Sequence, residues 1–318
     1  MTLTQLEYVV AVATYRSFVA AAEKCFVTQP TLSMQIQKLE DELGVKLFDR
    51  NKHPISATEI GEAIINQAKT ILSEAGKVTE IISKSKDQVW GTFKLAIIPT
   101  VAPYILPSFL VKYAAKYPKV KLTVVEMTTP EIIKALENDE LDAAILSTPL
   151  ERPLIQEHPL FFEPLVAYFT NEDAKGLPNV VKPTDINLEK LWLLHEGNCL
   201  RNQVLNLCEE NIQNIQADKP YFYESGSVDM LRKMVDTNGG VAILPELATF
   251  EFQEKYMDNI RYFENPQPER EISIVTNSHF VRNSILESLK EEILAIIPEK
   301  MKIQKENRNI LKIQTPKF

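Results

Sequence analysis

Cysteine is scarce: the 318-residue chain has three. So few thiols exclude a structural disulfide framework, and their placement matters more than their number. Long apolar runs are missing too. None approaches about 18 residues, which excludes a transmembrane helix. The opening stretch MTLTQLEYVVAVATY carries Glu7 within it and lacks a basic flank or a small-residue cleavage site. It is expected to be a helix of the mature protein, not a signal peptide. The expected compartment is therefore the cytoplasm, with no membrane role.

Positive charge is not in excess either. The formal net charge is −8, which argues against non-specific coating of nucleic acid. A local basic surface would still suffice for a DNA reader, so DNA binding must be argued from a motif. No repeat of fixed period, metal-ligand cluster, phosphate loop or hydrolase triad pattern stands in the sequence. No metal, cofactor or turnover chemistry is expected.

Three patterns follow one another along the chain. Residues 1–58 read as short amphipathic helices separated by tight polar turns. Residues 59–88 continue as one helical pattern without proline. Residues 91–300 alternate Val- and Ile-rich strands with helices, the signature of α/β architecture. Strands are expected at Phe93–Pro99, Val120–Met127, Ala143–Ser147, Leu165–Phe169, Trp192–His195, Val241–Pro245 and Glu271–Thr276. The last stretch, 301–318, is basic and polar and is expected to be mobile.

In the middle region Ile64, Ala68, Ile71, Ala75, Val78 and Ile82 recur at spacings of 4, 3, 4, 3 and 4, a heptad seam. A helix of about 28 residues is about 40 Å long, too long to bury one apolar stripe within a small domain. A second copy of the chain is the expected partner.

The segment SFVAAAEKCFVTQPTLS carries the strongest signal. Ser17 is placed to cap a helix whose face is Phe18, Ala21, Ala22 and Cys25. A short turn at Phe26–Val27 leads to a second cap at Thr28, with Pro30 tolerated in the first turn. Leu32, Ile36 and Leu39 point inward. Gln29, Thr31, Ser33, Met34, Gln35 and Lys38 are left on the outer face. Amide and hydroxyl side chains on such a face suit base edges of a major groove. Leu47–Asp49 and Ile55–Thr58 read as a hairpin wing, with Arg50, Lys52 and His53 at its tip for phosphate or minor-groove contacts. Taken alone, these residues leave a helix pair with a merely solvated polar face as an equal alternative.

SFVAAAEKCFVTQPTLSMQIQKLEDELGVKLFDR closely resembles the N-terminal signature of LysR-type transcriptional regulators. The likeness runs almost without gaps from Leu3 through Gly61, including Thr58-x-x-Gly61. It implies a winged helix-turn-helix, a dimerising linker helix and a C-terminal α/β domain of two lobes, like periplasmic binding proteins. It also implies double-stranded promoter DNA and RNA polymerase as partners, and dimers that pair into tetramers. By the same resemblance Thr28, Gln29, Pro30, Thr31, Ser33 and Gln35 belong to the DNA-facing helix.

A second stretch, Glu196-Gly-Asn-Cys-Leu-Arg-Asn-Gln-Val-Leu-Asn-Leu-Cys208, follows an expected strand and favours helix. Cys199 then lies in the first turn, where unpaired N–H groups and the helix dipole favour a thiolate, with Arg201 adding positive charge nearby. Cys208 is nine residues on, about 13.5 Å along a continuous helix. A disulfide needs Cα atoms about 4.4–6.8 Å apart, so the pair could close only if the helix unwinds. By themselves, two small buried thiols with no redox role explain these positions as well.

GNCLRNQ…C at this spacing resembles the redox centre of the hydrogen-peroxide-sensing branch of the same family. The likeness extends to the region around Thr100, to Glu126–Thr129, to GGVAILP and to Pro268–Arg270. It implies that Cys199 is the peroxidatic cysteine and Cys208 the resolving one, with Thr100, Thr129 and Arg270 orienting peroxide or sulfur. Asn198 departs from that pattern, which carries histidine there. Asn198 donates a hydrogen bond but cannot carry a proton charge. His195 is read as structural, and Cys25 is given no redox role.

The leading expectation is thus a transcription factor that senses hydrogen peroxide and regulates oxidative-stress genes. The alternatives are a LysR regulator binding a small organic anion between its lobes, for which Thr100 and Ser225-Gly226-Ser227 are available, and a thiol peroxidase, against which the helix-turn-helix argues. Replacing Gln29 or Ser33 should weaken specific DNA sites by about 1–3 kcal/mol while sparing weak non-specific binding. Equal loss on random and operator DNA in a titration would remove their base-reading role.

Overall fold

In the computed structural model, which describes residues 1–85, 89–208, 223–280, 282–302 and 308–312, helix α1 spans Leu3–Tyr15. Thr2 opens it with a capping box. Its hydroxyl accepts from the Gln5 N–H at 3.2 Å, and the Gln5 amide accepts from the Thr2 N–H at 2.9 Å. Helix α2 (Phe18–Lys24) starts at Ser17, whose hydroxyl accepts from the Ala20 N–H. Ala21 and Ala22 are buried, and their small side chains let α3 (Gln29–Leu43) cross closely. Leu32, Ile36 and Leu39 are fully buried in the shared core.

The wing is a two-strand ribbon, β1 (Phe48–Asp49) paired antiparallel with β2 (Ser56–Ala57). It is fastened to α3 through Glu40, a buried carboxylate. One Glu40 oxygen accepts from the Leu47 N–H at 2.8 Å, and the other pairs with Lys46 at 3.2 Å and Arg50 at 3.5 Å. Thr58 then turns the chain into helix α4 (Glu59–Ser85). Its hydroxyl donates to the Lys46 carbonyl at 2.7 Å and accepts from the Gly61 N–H at 3.0 Å. A Cβ on Gly61 would stand 2.1 Å from the Leu47 carbonyl oxygen. Only glycine lets α4 leave so close to the wing, which is the physical content of Thr58-x-x-Gly61.

The first turns of α4 pack on α1, burying Ile65 and Ala68. Ile64 and Ile71 are half-buried, and further along Val78 is 59% exposed. The Ile82 side chain and residues 86–88 lie outside the described residues.

The remaining chain builds a two-lobed α/β domain. β3 (Gly91–Ile97), α5 (Ala102–Lys116), β4 (Val120–Glu126), α6 (Thr129–Glu137) and β5 (Ala143–Thr148) form parallel units ordered β4-β3-β5. β6 (Ile155–Phe169) passes through both lobes. Its first part pairs with a late strand, β12 (Pro268–Asn277), and its second with β10 (Val241–Pro245) and β11 (Ile260–Phe263). The second lobe adds α7 (Asn171–Ala174), β7 (Val180–Val181), β8 (Leu191–Leu194), α8 (Cys199–Leu207), β9 (Glu224–Ser225) and the helix Val228–Asn238. Each lobe has its own apolar core.

All seven expected strands are present, Val241–Pro245 with identical limits. Leu165–Phe169 is the last third of a 15-residue strand, because β6 also runs through Pro159 and Pro164 opposite Ser273 and Glu269. The tail departs from expectation. Residues 308–312 are not a loose end: Asn309–Ile310 forms β13, parallel to β12, and Leu311 is buried against the second lobe. Burial of Leu311 and pairing with β12 outweigh the basic composition. Residues 303–307 and 313–318 lie outside the described residues.

Glu40→Ala leaves the Leu47 N–H and two cations without their acceptor. It should cost about 1–3 kcal/mol in chemical unfolding of the N-terminal domain, and Glu40→Gln should recover part of it by keeping one acceptor. A variant as stable as the parent would show that the wing holds without this carboxylate.

Candidate functional site

Helix α8 begins at the junction of the lobes. Asn198 takes an extended conformation ahead of it, and Gly197 before that has φ +94°, a left-handed backbone that favours glycine. A Cβ there would lie 3.6 Å from the Thr128 methyl, so this loop abuts the start of α6. Cys199 is the first helical residue, 3% exposed, and its side chain belongs to the core of the first lobe although its helix belongs to the second. Cys208 ends the same helix, half-buried, its N–H donating to the Val204 carbonyl at 3.1 Å. The two thiols are not joined. A continuous α-helix between them places them about 13.5 Å apart along its axis.

Asn198 does not cap α8 with its side chain. Its amide donates to the His195 carbonyl at 3.2 Å and meets His195 Nε2 at 3.4 Å, while His195 Nδ1 lies 2.5 Å from the Glu196 carbonyl. His195 therefore buttresses the residue beside the buried thiol. Arg201 corrects an expectation. Its Nη1 donates to the Leu194 carbonyl at 2.5 Å and pairs with Glu224 at 2.5 Å, so its charge is offset by a carboxylate rather than left to the thiol.

Across the junction, Thr100 lies between β3 and α5, and Thr129 opens α6. Both stand at the carboxyl ends of parallel strands, the edge at which open α/β sheets place ligands. Arg270, fully buried on β12, donates through Nη1 to the Thr100 hydroxyl at 2.9 Å and through Nη2 to its carbonyl at 3.0 Å. Its remaining charge meets Glu163 on β6, also fully buried, at 2.8 Å from Nε and 2.7 Å from Nη2. Burial pushes the Glu163 carboxyl above its usual range, opposed by the Arg270 charge and by the Leu247 N–H. The Thr129 hydroxyl is buried without a hydrogen-bond partner. Beside it the Thr128 hydroxyl and N–H hold the Glu131 carboxyl below its usual range.

Sequence reasoning missed Glu163 and Gln203. Glu163 was legible as the one charge in FFEPLVAYF. Gln203 lies one turn after Cys199 on the same helix face, fully buried, and donates to the Ser147 hydroxyl on β5 at 3.1 Å.

In the N-terminal domain Thr28, at the cap, and Gln29, Pro30, Thr31, Met34 and Lys38 of α3 are exposed. Thr28 ends the preceding turn without a side-chain cap, its hydroxyl sharing a 2.8 Å bond with that of Thr31. Gln35 is half-buried against Gln5. Lys52 and His53 are exposed at the wing tip. Arg50 is exposed as well but folded inward: it lies 4.8 Å over the Phe18 ring and donates to the Ser33 hydroxyl at 3.1 Å. Burial and Glu7 push the Cys25 thiol up, keeping it protonated.

Residues 3–62 match the model of the bacterial regulatory helix-turn-helix protein, lysR family, and residues 86–296 match the LysR substrate binding domain. The chain belongs to the LysR family. It is a DNA-binding regulator of transcription and not an enzyme. Within the family it is 35% identical to the DNA-binding transcriptional dual regulator OxyR of Escherichia coli (strain K12) over 297 residues, 93% of this chain and 95% of that one. It is equally identical to the hydrogen peroxide-inducible genes activator of Dickeya chrysanthemi over 277 residues, 86% and 89% of the two chains. Among solved structures, a full-length OxyR from Pseudomonas aeruginosa with a cysteine-to-aspartate substitution superposes with a TM-score of 0.72 at 31% identity, covering 96% and 99%. A peroxide-bound cysteine-to-serine OxyR of Corynebacterium glutamicum superposes at 0.54, with 27% identity and coverage of 93% and 92%.

Arg270→Met should cost about 3–5 kcal/mol in urea unfolding, because it leaves the Glu163 carboxylate buried and unpaired. Adding Glu163→Leu should restore most of that loss. If single and double variants unfold alike, the pair is not what holds the two shared strands.

Proposed function

We propose that this LysR-family regulator senses hydrogen peroxide through a Cys199–Cys208 thiol–disulfide switch and thereby controls oxidative-stress genes in the cytoplasm. The observation that carries the reading is the placement of two cysteines at opposite ends of one helix, the first buried at the junction of the lobes. The names of the relatives above support the same signal.

The Cys199 thiolate attacks one peroxide oxygen. The S–O bond forms, the O–O bond breaks, and the departing hydroxide takes a proton to leave as water. The Cys208 thiolate then attacks the Cys199 sulfenic sulfur. The S–S bond forms, the S–O bond breaks, and the second oxygen leaves as water. Two thiols and one peroxide give one disulfide and two waters. In this proposal Thr129, with its unpartnered hydroxyl, and Asn198 orient the peroxide. Thr100 does the same under the grip of Arg270, and Arg201 secures the helix. A helix must unwind for the sulfurs to meet, so the chemistry becomes a change of shape.

That change reaches DNA through α4. The exposed stretch around Val78 is proposed to pair with a second copy, and two dimers to form a tetramer. Thr28, Gln29, Pro30, Thr31, Ser33, Gln35 and Lys38 are proposed to read promoter DNA, with Arg50, Lys52 and His53 contacting its backbone. Arg50 would do so while bridging Ser33 and Glu40. RNA polymerase is the proposed downstream partner.

A second reading has one observation in its favour. A cavity of about 280 Å³ lies between the lobes, lined by Tyr104, Ser227, Asp229, Arg232, Phe252 and Tyr256. It would suit a small metabolite. Its cation, however, is already paired with Asp229 at 3.3 Å and Asp236 at 2.6 Å, and the Ser225 and Ser227 hydroxyls serve the local turn and helix cap.

Peptide mapping after a brief peroxide pulse decides between them. A Cys199–Cys208 linkage is expected, with increased amide exchange across Leu200–Leu207. Cys199→Ser should abolish the response, and Cys208→Ser should stall at the sulfenic acid or a mixed disulfide. Absence of the linkage would sink the peroxide reading in favour of the metabolite one.

A further inference from the structure

The tail strand touches the helix that carries both cysteines. β13 pairs with β12 through Asn309 and Ile310, and the Leu311 N–H donates to the Glu269 carbonyl at 2.9 Å. Arg308 pairs with Glu269, both buried, and its guanidinium stacks 3.9 Å from the centre of the Phe162 ring. Leu311 is 8% exposed, part of the second lobe's core. So anchored, the tail offers two backbone carbonyls to α8. The Leu311 carbonyl accepts from the Gln203 amide at 3.1 Å, and the Lys312 carbonyl accepts from the Asn206 amide at 3.1 Å.

Gln203 and Asn206 are three residues apart, neighbours on one face only while α8 is helical. The same Gln203 nitrogen also donates to Ser147 on β5, so this face of α8 is held by the first lobe and by the tail together.

We propose that the C-terminal strand is a clamp that positions α8 in its reduced, helical form, and that closing the Cys199–Cys208 disulfide must pull α8 off it. The proposal rests on the peroxide reading above. Both amide donors lie between the two cysteines. The sulfurs can meet only when the intervening turns unwind, and unwound turns do not present residues 203 and 206 at helical spacing. Each disulfide closed therefore strips two acceptors on the tail, one of them at a buried residue. The clamp favours the dithiol, so it makes the disulfide easier to reduce and sets how oxidising the surroundings must be before the switch turns.

The test uses the full-length chain and a version ending at Asn307, each equilibrated in glutathione buffers of graded oxidation. Alkylation and mass spectrometry then read the fraction of Cys199–Cys208 disulfide. Removing the clamp should raise the disulfide formation constant about tenfold, about 30 mV toward more negative potential for a two-electron couple. Asn206→Ala should shift the constant toward disulfide more in the full-length chain than in the shortened one. Ala's higher helix propensity acts in both, so the difference reads the bond to the tail.

Hydrogen exchange on the intact protein gives an arm that does not depend on how the shortened chain folds. The Leu311 amide should exchange at least tenfold faster in the oxidised form. Equal formation constants in both chains, or equal Leu311 exchange in both redox states of a chain that does form the disulfide, overturns the clamp alone. Failure of the full-length chain to form the disulfide overturns the peroxide reading and the clamp with it.

Discussion

Arg270 and Glu163 are both fully buried, and neither charge could be left there without the other. They sit on β12 and β6, the antiparallel pair against which the first lobe's strands and the second lobe's strands are both built. The same guanidinium reaches across to the hydroxyl and carbonyl of Thr100. One ion pair thus fixes the two shared strands to each other and holds the turn after β3 against them. That turn belongs to the first lobe, the same lobe whose core takes in the Cys199 side chain.

In the proposed switch α8 is the element that changes against that frame. Its residues are divided among three neighbours: Cys199 with the first lobe's core, Leu200, Val204 and Leu207 with the second's, Gln203 and Asn206 with Ser147 and the tail. A nine-residue helix gains little from its own backbone hydrogen bonds, and such short helices are marginal in water. Its stability is that of its contacts. The proposed bond between its two ends would therefore compete with those contacts alone, not with the packed strands beneath.

The N-terminal domain solves a different problem, holding its helix-turn-helix and wing in one fixed pose. Glu40 and Arg50 tie the wing to α3, while Gly61 lets α4 depart against the Leu47 carbonyl. The exposed face of α3 thereby keeps one relation to the wing and to the long helix behind it.

Much of this was legible in the sequence because it is local. The cap at Ser17, the inward Leu32, Ile36 and Leu39, the strand Val241–Pro245 and the position of Cys199 in a first turn all depend on residues a few places apart. Spacing alone also dictates that Cys199 and Cys208 cannot meet across an intact helix. What only the tertiary structure decided are the long-range partners. Arg270 finds Glu163 across 107 positions, and Gln203 finds Leu311 across 108. Arg201 is offset by Glu224, Arg50 turns back onto Ser33, and a basic tail becomes a strand because β12 has an edge to receive it. Periodicity tells a residue which way to face along its own element. It carries no information about which distant element will be waiting there, and buried charges and stray amides are settled only by that meeting.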